Sequence, residues 1–275
     1  MKLYAGTSGY SYPEWKGWFY PEDLPNSEFL KYYAERLPSV EINNTFYRLP
    51  NAKMVEGWGS AVPEGFRFSL KAAQKITHIK RLQYAQDETS YLIKTVKLLG
   101  PKLGVLLFQC PPNLKKDLRR LQEFIRGLDR EVRCAFEFRH ASWFDDEVFE
   151  ALRAGNCALC VADTDEELDV PFVSTARWGY MRLRRPDYTV KDLESWVKRI
   201  EGQNWDPAFV FFKHEDEGVG ANFAMKFLAI AEGRPLPPDP KGPSKKPAAK
   251  KAIGQRSEVR GQKSKVRGKS PRKKK

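Results

Sequence analysis

The feature that most constrains this chain is an alternation that recurs eight times: a short apolar, β-rich run, then a longer polar or amphipathic stretch. The runs are Leu3–Ser8, Val40–Thr45, Arg67–Lys71, Gly104–Gln109, Cys134–Arg139, Ala158–Asp163, Tyr180–Arg184 and Phe209–Lys213. Their shortness and composition read as buried strands. Between most of them lie helical patterns. Asn26–Leu37 opens on a cap-like Asn-Ser and puts Phe29, Tyr33 and Leu37 on one face. Asp117–Leu128 spaces Leu118, Leu121, Phe124 and Leu128 in the same way. Thr189–Ile200 carries Leu193, Trp196, Val197 and Ile200, and Ala221–Ala231 follows the last run. Eight such units within residues 1–233 match the size and alternation of a (β/α)8 TIM barrel. The alternative is an open doubly wound sheet, but no Gly-x-Gly-x-x-Gly follows the first strand. The expected fold is α/β, a single (β/α)8 barrel over residues 1–233.

Charge divides the 275 residues into two materials. The net charge is +13, from 48 Lys+Arg against 35 Asp+Glu. Residues 234–275 hold 16 of the basic residues and two acids, Asp239 and Glu258, a net of +14; residues 1–233 are left at −1. The last 42 residues contain seven prolines and no aromatic residue. Such a segment cannot bury enough apolar surface to offset the entropy of ordering it, so it reads as a disordered tail. Lys245, Lys246, Lys250, Lys251, Arg272, Lys273, Lys274 and Lys275 make it a candidate arm for non-specific nucleic acid, held by counterion release. The seven-residue echo between Arg256–Gln262 and Lys263–Lys269 allows a plainer reading, a tail accreted from duplicated coding sequence.

Other classes are excluded by what the chain lacks. No apolar run approaches the roughly 18 residues of a membrane helix; the longest, Leu103–Cys110, already contains Gly and Gln. The opening Met1-Lys2-Leu3-Tyr4-Ala5-Gly6 does not read as a signal peptide, and four cysteines do not make a disulfide scaffold. The expectation is a cytoplasmic protein with no membrane partner.

Barrel enzymes build their sites at the C-terminal ends of the strands and in the loops beyond. All three histidines have that address: His78 after the third strand, His140 after the fifth, His214 after the eighth. Strand parity adds charges that would point into the lumen, where they are costly unless paired or used. Glu41 and Asn43 share a face, as do Ser69 and Lys71, Leu107 and Gln109, and Ala135, Glu137 and Arg139. Tyr180, Arg182 and Arg184 align on the seventh strand; Asp163 closes the sixth and Lys213 the eighth. The converging set is Glu41, Lys71, Gln109, Glu137, Arg139, Asp163, Arg182 and Lys213. Its plain alternative is a salt-bridged plug, with Glu137 tied to Arg182 or Lys71. As a site, the carboxylates supply general acid and base, while Lys71, Arg139 and Arg182 hold an anion. Carboxylates with His140 or His214 are also the donors of a divalent-metal site. With no helical His-Glu-x-x-His, metal is not favoured, and no cofactor is assigned.

Three further features have structural readings. Tyr10, Tyr12, Trp15, Trp18, Phe19 and Tyr20 crowd the first loop, where packing on the rim is favoured over stacking on a ligand. Cys157 and Cys160 sit at a strand's start with their thiols on opposite faces, unsuited to zinc. Gly218-Val-Gly220 before the last helix suits either phosphate binding on free amides or a plain turn.

The chain also resembles a known family. Gly6-Thr-Ser-Gly-Tyr10 and Trp15-Lys-Gly-Trp-Phe-Tyr-Pro21 are similar to the opening of the YecE-like family, domain of unknown function 72. So are Val40-Glu-Ile-Asn-Asn-Thr-Phe-Tyr-Arg48, Phe68-Ser-Leu-Lys-Ala72, Ile76-Thr-His78, Leu107-Phe-Gln-Cys-Pro-Pro112 and Glu137-Phe-Arg-His-Ala-Ser-Trp143. They run in order over residues 1 to about 230, with the tail from Arg234 outside. The resemblance implies a TIM barrel and motif positions at Glu41, Asn43, Lys71, His78, Gln109, Glu137, Arg139, His140, Trp143 and Asp163; it supplies no substrate. At the eighth strand Phe211-Phe-Lys-His-Glu215 departs from the family's Tyr-Phe-Asn-Asn, so no role is carried to Lys213 or His214.

The expected function is that of an enzyme (hydrolase, lyase or isomerase) on a small anionic, phosphorylated-sugar or nucleotide-derived substrate. Its catalytic candidates are Glu137, Glu41, Asp163, His140 and His78. Its binding candidates are Lys71, Arg139, Arg182, Gln109, Asn43, Lys213, His214 and Trp143. The alternative is a non-catalytic, nucleic-acid-associated scaffold tethered by the basic tail. The sequence leaves the oligomeric state open.

Overall fold

The eight apolar runs become the staves of one closed barrel. The computed structural model describes residues 1–164, 168–213 and 218–239; His214 and the basic residues singled out beyond Arg234 lie outside the described residues. The strands are β1 (Leu3–Ser8), β2 (Ser39–Ile42), β3 (Arg67–Lys71), β4 (Leu103–Gln109), β5 (Cys134–Glu137), β6 (Ala158–Asp163), β7 (Gly179–Leu183) and β8 (Ala208–Phe212). Each pairs in parallel with the next, and β8 returns to β1. Each expected strand is present, with ends displaced by at most three residues.

Parallel strands in a barrel are buried on both faces, which explains their near-continuous apolar character. The outward set, including Val40, Phe68, Phe108, Phe136, Leu159 and Phe212, packs under the helices as the main core. The inward set forms a separate interior cluster around Tyr4, Val105, Leu107, Cys160, Tyr180 and Phe209. Gly6 has a steric reason on the β1–β2 seam: a Cβ there would stand 1.8 Å from the Ser39 carbonyl oxygen.

Seven α-helices are described: α1 (Phe29–Ala34), α2 (Ala52–Ser60), α3 (Gln86–Val96), α4 (Leu118–Arg126), α5 (Asp146–Ala154), α6 (Val190–Glu201) and α7 (Val219–Ala231). Between β6 and β7 no helix is described. Asp117 caps α4 by accepting from Arg120 N, and Thr189 with Asp192 makes a reciprocal capping box on α6. The Asn-Ser expected to cap α1 instead opens a 3-10 turn over Asn26–Glu28, without a side-chain cap bond. Among the described residues no helix is long and apolar enough to cross a membrane.

The aromatic first loop packs the rim. Trp15, Phe19 and Tyr20 are buried, and the Tyr20 ring stacks on Phe29 of α1 at 4.0 Å. Tyr33 receives a bond from Thr7 N and gives one to Ser39 O, tying α1 to the first two strands. At the other end of the described chain, Asp239 accepts from Asn222 and Lys226 of α7. Asp239, beyond Arg234, is thus tied to α7.

Candidate active site at the barrel mouth

Parity and register bring three strands' charges together in the upper lumen. Glu41 on β2, Glu137 on β5 and Arg182 on β7 are all buried, at 0%, 4% and 3% exposure. Arg182 spans the lumen as a two-handed tie: Nη2 donates to Glu41 Oε1 at 2.8 Å and Nη1 to Glu137 Oε2 at 2.7 Å. The remaining lone pairs are served by neutral donors. Ser8 Oγ and the Tyr180 hydroxyl donate to Glu41 at 2.9 and 2.7 Å, and Gln109 Nε2 donates to Glu137 Oε1 at 2.9 Å. A buried ion pair is tolerated when its geometry is good and its remaining polar atoms are satisfied; both carboxylates meet that condition, while Arg182 Nε stays buried without a partner.

The electrostatics follow from this tie. Burial alone would raise the Glu41 carboxyl, but Arg182, the Tyr180 hydroxyl and Arg184 outweigh it and hold the carboxyl below its ordinary range. Glu137 is lowered in the same way, with burial overcome by Arg182 and Gln109. Burial would lower Arg182, but the two carboxylates win and raise it well above its ordinary value. All three groups are charged at neutral pH.

Above the tie opens a cavity of about 250 Å³, lined among others by Lys71, Gln109, Glu137, Arg139, Arg182 and Arg184. Among the described residues four cations and one carboxylate face it. Arg182 is already engaged by the two carboxylates. Lys71 ends β3, its carbonyl held by Thr45 Oγ1 at 2.7 Å and its Nζ lying 4.2 Å from the centre of the Phe46 ring. Burial first, then Arg182, push its amine down to about 8, against the opposing pull of Glu137 and Glu41. The Phe46 face favours the ammonium, the smaller effect beside a guanidinium and desolvation. Arg184 follows β7 on the inward parity, and no ion pair is found for it among the described residues. His78 stands nearby on a π-helical turn over Lys75–Ile79, its ring edge-on to Phe46 at 4.9 Å. Burial, Lys71 and Arg139 lower its imidazole, favouring the neutral ring.

Several sequence candidates are placed elsewhere. Asp163 has the parity of Leu159 and Val161 and turns outward, away from the lumen. Its Oδ2 accepts from Tyr188 at 2.8 Å and Trp196 Nε1 at 3.2 Å, with the Arg185 guanidinium 3.3 Å away. His140 does not line the cavity; its Nδ1 caps the short turn Ala141–Trp143 by accepting from Ser142 N at 3.1 Å. Trp143 is core, stacked on Phe138 at 4.4 Å, with Nε1 donating to Leu114 O. Arg182, expected in an anion clamp, is consumed by the two glutamates. Glu41 lies beneath the cavity rather than on its wall. Asn43 follows β2 with its Oδ1 buried and unbonded, and Lys213 follows β8 on the inward parity.

Other sequence features resolve into packing. Gly218 opens α7 at φ 71°, and a Cβ on Gly220 would lie 2.0 Å from the Lys213 carbonyl oxygen, so both glycines serve the turn. Cys157 joins the outer core and Cys160 the interior cluster, on opposite faces as expected. Among the described residues no three His, Cys, Asp or Glu side chains come together as metal ligands would. Two contributors were passed over: Arg184, although parity aligned it with Arg182, and Phe46, which has no strand parity to reveal it. At the opposite end of the barrel a larger cavity, about 530 Å³, is lined by Lys2, Tyr4, Arg67, Arg133, Asp206 and Phe209 among others.

Comparison with known proteins places this barrel. The family described as "Protein of unknown function DUF72" matches residues 4–247, past the Arg234 limit of the resemblance read from motifs. The UPF0759 protein YunF of Bacillus subtilis (strain 168) is 27% identical over 212 residues, 72% of this chain and 74% of that protein. A solved DUF72 family protein from Thermotoga maritima MSB8 is 27% identical, with a TM-score of 0.74 over 84% of this chain and 100% of the other. A second, from Enterococcus faecalis V583, is 19% identical with a TM-score of 0.70 over 89% and 100%, a likeness of fold.

Proposed function

We propose, for a chain that belongs to the DUF72 family, that the barrel mouth is the active site of a cytoplasmic enzyme acting on a small anionic substrate by acid–base chemistry. One observation carries this reading: among the described residues four cations and a single carboxylate line the mouth cavity, with a second carboxylate buried beneath. Lys71 and Arg184, neither with an ion-pair partner among the described residues, stand in a partly desolvated space. Desolvated, perturbed groups in a barrel mouth are what acid–base work requires. The cavity's size, about 250 Å³, is below that of drug-sized ligand pockets and suits a small molecule. The four cysteines are free and buried, which fits a reducing compartment.

The roles divide by depth. Glu137 is the ionised carboxylate at the cavity wall and serves as the base. Lys71, Arg139 and Arg184 receive the anionic group. Glu41 acts through Arg182, holding it in place beneath the cavity. A phosphorylated sugar or nucleotide-derived molecule is the substrate class that this charge and size fit.

Isothermal titration of the full chain with inorganic phosphate and with small sugar phosphates tests the reading. Arg184→Gln removes one charge-assisted contact, and affinity is expected to fall about tenfold. Equal affinity in the two proteins, or no binding by either, overturns the anion site.

A further inference from the structure

We infer that Lys71 is a covalent catalyst, an amine that condenses with the carbonyl group of a substrate carrying a nearby carboxylate or phosphate. The inference rests on the anion-binding reading above and adds the reaction that the same cavity is built to start.

The geometry singles out this lysine. Lys71 lines the cavity at the C-terminal end of β3, its backbone fixed by Thr45 and its Nζ resting on the Phe46 ring. No carboxylate forms an ion pair with it among the described residues, because Arg182 takes both Glu41 and Glu137. An ammonium left without a counter-ion beside a guanidinium gives up its proton more readily, and the neutral amine is the nucleophile. The charged and titratable groups facing it are Arg182 and Arg184 from β7 and its end, Glu137 and Arg139 from β5 and its end, Glu41 from β2, and His78 beyond β3. Burial and Arg182 dominate, and the amine titrates at about 8.

The step balances without an oxidant or reductant. The Nζ lone pair bonds to the carbonyl carbon while the carbonyl π pair moves to oxygen, which takes a proton to give a carbinolamine. Nζ then loses a proton, for which Glu137 on the same wall is the acceptor. The hydroxyl leaves as water with the proton that Glu137 returns, and the nitrogen lone pair closes the C=N bond. Amine, carbonyl and the one proton that solvent gave the carbonyl oxygen become protonated imine and water. Arg139 and Arg184 fix the anionic end, and the protonated imine draws electrons from the adjacent carbon, the requirement shared by retro-aldol cleavage, dehydration and isomerisation.

Reductive trapping tests it. The full chain is incubated with pyruvate, and separately with glyoxylate, in the presence of cyanoborohydride at pH 7 and pH 8.5, and modified lysines are mapped by peptide mass spectrometry. Lys71 is expected to be labelled roughly tenfold faster than any other lysine, and faster at pH 8.5 than at pH 7. Lys71→Arg, which keeps the charge, and Lys71→Met, which does not, are each expected to leave only an even background. Labelling of Lys71 at the rate of surface lysines with both probes overturns the inference. Phosphate titration separates the two readings: phosphate bound without selective labelling leaves the anion site and removes the imine. Selective labelling that phosphate neither slows nor accompanies by binding keeps the imine and removes the anion site.

Discussion

At the N-terminal end of the barrel Lys2 and Arg67 lie over the Tyr4 ring at 5.2 and 5.3 Å, and Lys97 pairs with Asp129 and Glu131 in the open. At the mouth Arg182 is sealed between two carboxylates, and Lys71 rests on a phenyl ring with no ion-pair partner among the described residues. The first cavity has about twice the volume of the second, roughly 530 against 250 Å³. Volume therefore does not follow the burial of charge at the two ends. Charges that stay wet cost little, whereas charges denied water must be paired or must shift. The smaller cavity is the one whose wall carries the buried Arg182–Glu137 pair and the shifted Lys71 amine.

Four measurements break or sharpen that contrast. The largest effect is expected from Arg182→Met, which leaves Glu41 and Glu137 buried without a counter-charge; chemical denaturation should show a loss of about 3–5 kcal/mol. Lys97→Met at the opposite end is expected to leave the unfolding midpoint where it was. Equal losses would erase the distinction. Tyr180→Phe comes next: it removes one donor to a buried carboxylate, and the loss should be about 1–3 kcal/mol by the same assay.

A smaller effect depends on pH. Lys71 carries a positive charge below about 8 and loses it above, so phosphate affinity measured by calorimetry should fall as pH rises through 8. Glu41 and Glu137 have the opposite linkage. Their folded proton affinities are lowered, so the stability they contribute is present above the ordinary glutamate range and is lost as pH falls through it toward the lowered folded values. Phosphate affinity that is flat from pH 7 to 9 would remove Lys71 from the anion site. The smallest effect on the barrel is expected from ending the chain after Asp239, which keeps the bonds to Asn222 and Lys226. The unfolding midpoint should not move, while low-salt binding to non-specific duplex DNA disappears with the lost basic residues. Duplex binding that survives would give the barrel a nucleic-acid surface of its own and revive the scaffold alternative.

The fold was legible because a parallel barrel buries both faces of every strand, and eight apolar runs with helical spacers have few other solutions. Much of the floor of the site was legible too, since period-two alternation put Glu41, Glu137, Gln109 and Arg182 on the inward faces. Parity failed where it was not followed through. Asp163 was placed inward because it closes a strand, yet the small residues Ala158, Cys160 and Ala162 already mark that strand's inner face and Leu159 and Val161 its outer one. Beyond the strand ends parity has no hold. His140 and Trp143 are positioned by a single 3-10 turn and a stacked ring, contacts between residues whose spacing says nothing of direction. Phe46 was invisible for the same reason, although it holds the Lys71 amine.

Arg182 is one side chain on the seventh strand that grips the second and the fifth, so it works as a spoke across a hollow wheel. The brace fixes the cross-section of the barrel just under the mouth, while Lys71, Arg139 and Arg184 stand on the rim above it. Rim residues can be exchanged without loosening the hub, and the hub cannot be altered without unseating the rim. A barrel built this way can take on new chemistry by changing side chains above the spoke, provided Arg182, Glu41 and Glu137 stay as they are.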